Sequence, residues 1–192
     1  VSGIMFGYDN SVMSGAIGYI TDRFALDAVN VGMVVSGITV GAIIGALAAG
    51  TIADKIGRKK ALLLAAIFFA VGSIAQAFAG TPALLIAFRF VAGLGIGLTN
   101  AVSPMYIAEV APAKIRGAFG SLYQLLINIG LTVVFFINAF IAGAGTFEWN
   151  VSTGWRIMLG MGAVPAVVVF ILVCIVPESP RWLRGIGRND KA

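Results

Sequence analysis

Histidine is missing altogether, and Cys174 is the only cysteine. Without imidazole the chain has no neutral nitrogen ligand and no side chain that titrates near pH 7 unperturbed. A single thiol builds neither an internal disulfide nor a thiolate cage. No metal and no cofactor are therefore expected, and Cys174, inside an apolar run, is expected to pack as a small hydrophobe. Charge is scarce as well. Only 11% of residues are Asp, Glu, Lys or Arg, against roughly 25% in a soluble domain, and 59% are hydrophobic. That balance excludes an ordinary soluble fold.

The apolar residues come in runs of spanning length, such as Val34 to Ala53 and Ala61 to Ala79. About 20 such residues match a hydrocarbon core about 30 Å thick. Read between polar punctuation, the chain divides into helices near 1–20, 30–53, 60–79, 82–107, 116–142 and 155–176, followed by a short tail at 177–192. The expected fold is thus an all-α polytopic membrane bundle forming one domain. The opening segment has no basic leader and carries Asp9, so it reads as a helix entered part-way and not as a cleaved signal peptide.

The connections alternate in charge. Lys55, Arg58, Lys59, Lys60, Lys114, Arg116, Arg181, Arg184, Arg188 and Lys191 fall on one side, against Arg23 and Arg156 on the other. The positive-inside rule makes the first side cytoplasmic, places both termini there, and accounts for the +5 net charge without nucleic acid. Gly37, Gly41, Gly45 and Ala49 form a small-residue stripe of the kind that lets helices approach closely in lipid. Gly93, Gly95 and Gly97 do not make a dinucleotide fingerprint, because position 98 is Leu and no strand precedes them. The tripeptide Asn150-Val151-Ser152 matches a glycosylation acceptor in an external loop, but one tripeptide is weak and modification is not expected.

Polar groups at bilayer depth are the informative ones, because lipid penalises them unless they face a cavity or a partner. Asp9 lies about 16 Å below the outer end of the first helix and Arg89 about 10 Å below Pro82, at comparable depth. A carboxylate that can trade its proton for an arginine partner is a coupling device; the alternative is a static ion pair joining two helices. On the fifth helix, Gln124, Asn128, Thr132, Phe135 and Asn138 recur at steps of four, four, three and three, which keeps them on one face. Amides suit sugar hydroxyls and an aromatic covers an apolar ring face, so this face reads as a polar solute pathway, with interhelical amide bonding as the alternative. Thr99, Asn100, Ser103 and Pro104 either line the same space or mark a kink. At the cytoplasmic helix ends the acids Asp54, Glu109 and Glu178 sit near Arg58, Arg116 and Arg181, as a conformational latch or as a solvated cluster worth little.

Two cytoplasmic segments resemble signatures of the major facilitator superfamily, specifically of its sugar porter family. They are Gly50-Thr51-Ile52-Ala53-Asp54-Lys55-Ile56-Gly57-Arg58-Lys59-Lys60 and Pro177-Glu178-Ser179-Pro180-Arg181-Trp182-Leu183. Arg89 to Gly97, Pro104 to Pro112 with Arg116-Gly117, Gly154-Trp155-Arg156 and Gly7-Tyr8-Asp9 fit the same family in the same order. The resemblance implies two inverted three-helix repeats forming half of a twelve-helix transporter in a cell or inner membrane, not an enzyme, that works by alternating access. It implies a monosaccharide substrate, a proton as co-substrate marked by Asp9 with Arg89, and a separate six-helix C-terminal half as partner. It places Phe6 and Gln124, with Asn128 on the same face, against the sugar. It makes Asp54, Arg58, Glu109, Arg116, Glu178 and Arg181 the network that holds the inside closed. Ser11 departs from the glycine or alanine common in the family, and the half alone is expected to bind sugar weakly or not at all. A facilitative uniporter, a sugar sensor and a structural bundle remain as alternatives; a sensor is disfavoured by the short tail after Arg181.

Overall fold

The computed structural model describes residues 2–187; residue 1 of the first span and the tail residues Arg188 and Lys191 lie outside them. Helices α1 (Ser2–Phe24), α2 (Ala28–Ile56), α3 (Arg58–Ala77), α4 (Pro82–Val110) and α5 (Arg116–Ala144) are each one continuous rod. Caps fix where they start. The Asp27 carboxylate accepts the Asn30 N–H at 2.8 Å, and the Thr81 hydroxyl accepts that of Leu84, with Pro82 at the first helical position. Only Gly57 separates α2 from α3, at φ 96°, a conformation that suits glycine.

The sixth span begins earlier than the sequence suggests. Thr146 caps a short helix α6 (Phe147–Trp149), and a π-turn at Asn150–Gly154 leads into α7 (Trp155–Gly160), followed by α8 (Ala163–Ile175). Residues 147–154 look like loop because Glu148, Asn150, Ser152, Thr153 and Gly154 break up the apolar pattern, but Asn150 turns inward and donates to the Ala142 carbonyl at 2.9 Å, which holds the coil to α5. Asn150 is 2% exposed, so the acceptor tripeptide has its asparagine inside the protein. A last short helix, α9 (Pro180–Gly185), lies past the span.

Helix α4 is the hub of one side, with α2 packed parallel and α3 antiparallel along it; α5 packs parallel along α1. Thus the second helix of each triplet lies on the first helix of the other, the exchange expected of two three-helix repeats. The α4 glycines divide between neighbours: a Cβ on Gly93 or Gly97 would collide with α2 backbone at Ile38 or Ala42, and one on Gly95 with α3 backbone at Ala65 and Phe69. Close backbone approach is what holds helices together where surrounding lipid is as apolar as leucine. Five segments (α2, α3, α4, α5 and Phe147–Ile175) are long and apolar enough to cross a membrane by composition. At 23 residues α1 is also long enough, but Asp9, Asn10, Ser11 and Ser14 dilute its apolar character. Leu47, Phe140 and Ile175 stand more than three-quarters exposed, which water penalises and an apolar neighbour does not.

Candidate transport site

Helix α1 is fixed by three neighbours. Gly3 and Gly7 let it lie against α5 at Tyr123, Ile127 and Leu131; Tyr8 enters the core of the sixth span; Asp9 faces α4. The Asp9 carboxylate and the Arg89 guanidinium are both buried, at 8% and 1% exposure, with Oδ2 and Nη2 3.8 Å apart. That separation is an ion pair without a formed hydrogen bond. Arg89 Nε and Nη1 have no partner among the described residues. A buried cation holding one acid at arm's length, with donors to spare, is an arrangement that can be rebalanced when a proton or solute arrives.

The parallel register of α1 and α5 sets Phe6 level with Asn128 and Asp9 level with Leu131 and Thr132. Gln124, Asn128, Thr132 and Phe135 are exposed along α5, and Phe6 is half-buried beside them. Asn128 and Thr132 rest on their own helix, donating to the carbonyls of Gln124 and Asn128 at 3.1 and 2.9 Å. Asn10, one residue from Asp9, is exposed and donates to the Phe6 carbonyl. Asn138 does not belong to this open face. It is 5% exposed, and its Nδ2 lies 3.4 and 3.3 Å from the Ser11 and Val12 carbonyls of α1. Its place at the edge of the helical arc lets the neighbouring helix claim it. Ser11 is buried with its hydroxyl unpartnered among the described residues, at that same contact.

On α4, Asn100 accepts from the Tyr123 hydroxyl at 2.8 Å and Ser103 meets Ser2 at 2.7 Å, so these groups tie α4 to α5 and α1. Pro104 sits inside an unbroken helix. It lines a cavity of about 330 Å³ with Arg116 and Tyr123, between the last turns of α4 and the first turns of α5.

Farther toward these helix ends the charges gather; Asp54 and Arg58 pair as their proximity in the sequence suggests, and the other acids find more distant partners. Arg58 bonds Asp54 and Glu109, each at 3.0 Å, and also donates to the Ala53 carbonyl. Glu109 therefore pairs with Arg58 across 51 residues and not with nearby Arg116, and its second oxygen accepts from the Ser179 hydroxyl. Glu178 accepts the Lys59 N–H at 3.0 Å, at the start of α3, and its carboxylate fills the space a Cβ on Gly57 would need. Arg181 and Arg116 are exposed, and no carboxylate bonds either among the described residues; Arg116 reaches only the Ala111 carbonyl. Trp182 donates to the Asp54 carbonyl and Tyr106 to that of Pro177, closing α9 over the ends of α2 and α4. Sequence reasoning missed Ser179, Tyr106 and Trp182, which lie inside quoted motifs but have no spacing that foretells a partner. At the opposite end Arg156 was missed likewise: it lies over the Trp155 ring and caps the last turn of α3 at the Ala77 and Ala79 carbonyls.

The described residues thus form two three-helix triplets, with a buried acid and base between α1 and α4 and a charged cluster at one end. The family model described as "Sugar (and other) transporter" matches residues 1–192, and the chain belongs to that family. The arabinose-proton symporter of Bacillus subtilis (strain 168) is 43% identical over the whole chain, which covers 41% of that protein. The glucose transporter GlcP of Staphylococcus epidermidis is 40% identical, again over the whole chain and 41% of the relative. Among solved structures, a partially occluded inward-open form of the xylose transporter XylE from E. coli superposes with a TM-score of 0.94 at 34% identity, over 99% of this chain and 51% of that one. The chain thus spans about two-fifths of the length of the curated relatives it matches.

Proposed function

We propose that this chain is the N-terminal half of a secondary transporter that carries a monosaccharide together with a proton by alternating access. The observation that carries the reading is the buried Asp9 and Arg89 pair at the level of an open α5 face bearing Gln124 and Asn128. Phe6, Gln124 and Asn128 contribute one side of the sugar site; a second six-helix half contributes the other. Asp9 takes the proton from outside, and its release lets Arg89 return to the carboxylate. The cluster of Arg58, Glu109, Glu178 and their neighbours, with Arg116 and Arg181 left for the other half to engage, latches the cytoplasmic side. Both termini of the chain face the cytoplasm in this reading, because the basic loops do. The similarity to the glucose transporter of Staphylococcus epidermidis and the arabinose-proton symporter of Bacillus subtilis supports a sugar as cargo, and the latter supports a proton as its companion.

The test is uptake of labelled pentoses and hexoses by the complete transporter in proteoliposomes, with and without an inward proton gradient. Wild type is expected to accumulate sugar when the gradient is imposed, and Asp9→Asn to equilibrate it without accumulation. Accumulation by Asp9→Asn would remove the carboxylate from coupling, and gradient-independent wild-type uptake would make the protein a uniporter.

A further inference from the structure

The sixth span is broken once in its middle, and the break has an identifiable cause. Pro165 has no N–H, so the Met161 carbonyl four residues earlier cannot complete the helical ladder with it. That carbonyl takes the Val164 N–H at 3.0 Å instead, and the Gly162 N–H turns to Leu159 at 3.1 Å. These shortened bonds leave the Met158 carbonyl without the Gly162 N–H that a regular helix would bring to it. The Tyr8 hydroxyl donates to it at 2.6 Å, from 150 residues away in the chain. The tyrosine is 4% exposed, and its ring lies so close to Gly162 that a Cβ there would stand 3.2 Å from Cε1. An elbow without this hydroxyl would hold an unsatisfied buried carbonyl.

Tyr8 is bonded to the elbow, and the next residue, Asp9, faces Arg89. Consecutive residues on a helix point about 100° apart, so anchoring one fixes the direction of the other. A rotation of α1 by about 20° would swing a side-chain tip about 5.5 Å from the axis through about 2 Å. That is enough to join or to part a carboxylate and a guanidinium now separated by 3.8 Å. We propose that Tyr8 is a positioning residue: by holding the carbonyl freed at the elbow of the sixth span, its hydroxyl sets the rotation of α1 that poises Asp9 against Arg89. This rests on the reading of Asp9 as the proton-exchanging group.

The experiment compares wild type, Tyr8→Phe and Pro165→Ala in the complete transporter. It measures proton-driven uptake against pH, sugar exchange without a gradient, and amide hydrogen exchange across residues 159–164. Tyr8→Phe is expected to keep the KM of exchange within about twofold. It should displace the pH of half-maximal driven uptake by about half a unit or more, and speed amide exchange at the elbow by about tenfold. Pro165→Ala restores an N–H at that position and lets the helix reclaim its own carbonyls, so it should displace the pH profile with Tyr8 intact. That second variant decides the matter if Tyr8→Phe does not fold. Coupled wild-type transport with an unchanged pH profile in the folded variants would overturn the role of Tyr8 alone; uncoupled wild-type transport would remove the coupling reading and this role with it.

Discussion

Removing Arg58 should cost far more than removing the acid beside it, although both make the same 3.0 Å ion pair. The Asp54 side chain is 69% exposed, so water replaces its partner and Asp54→Ala is expected to cost about 0–1 kcal/mol. The Glu109 side chain is 6% exposed and Arg58 is the cation bonded to it. Arg58→Ala leaves that carboxylate buried with only the Ser179 hydroxyl for company, and an uncompensated buried charge costs about 3–5 kcal/mol. The retained hydroxyl bond and the loss of the bond to the Ala53 carbonyl act in opposite directions, so the expectation stays within about 3–5 kcal/mol. The double variant Arg58→Ala with Glu109→Ala should recover at least about 1 kcal/mol relative to the sum of the singles, because no charge is then stranded. Denaturation of the purified chain in mixed detergent micelles, followed by tryptophan fluorescence, measures all four. Equal losses for Asp54→Ala and Arg58→Ala, or strict additivity in the double variant, would refute the assignment of Glu109 as a buried partner.

Two glycine substitutions separate packing from mere helix propensity. Gly41→Val drives its Cβ into the Phe90 carbonyl and should cost about 1–3 kcal/mol in the same titration. Gly18→Ala has open space around it and should be neutral or slightly stabilising, since alanine favours the helix.

The spans were legible because a bilayer demands long apolar runs whatever the details of packing, and the stripe Gly37, Gly41, Gly45 was legible because close approach in lipid selects small residues at helical spacing. What the one-dimensional pattern hides is which neighbour a side chain meets. Asn138 has the periodicity of the open α5 face but sits at its edge, where α1 takes it. Arg58 finds Glu109 because the start of α3 lies beside the end of α4, not because the residues are near in the chain. The break in the sixth span combines Pro165, Gly162 and a tyrosine from the first span, and only the proline announces itself. The exposed strip of Gln124 and Asn128 and the comparable depth of Asp9 and Arg89 were readable because ionisable and amide groups are so few in these helices that each stands out.

The claim on which everything turns is that Gln124 and Asn128 look into a watery passage that sugar occupies. Its most direct measurement is thiol labelling in the complete transporter after Cys174→Ser, with single cysteines at Gln124, at Asn128 and, as an apolar-face control, at Ile171. A membrane-impermeant maleimide should modify the first two and spare the third, and saturating transported sugar should slow modification at Gln124→Cys. Labelling of Ile171→Cys alone, or modification at Gln124→Cys and Asn128→Cys indifferent to every sugar tested, would contradict the account.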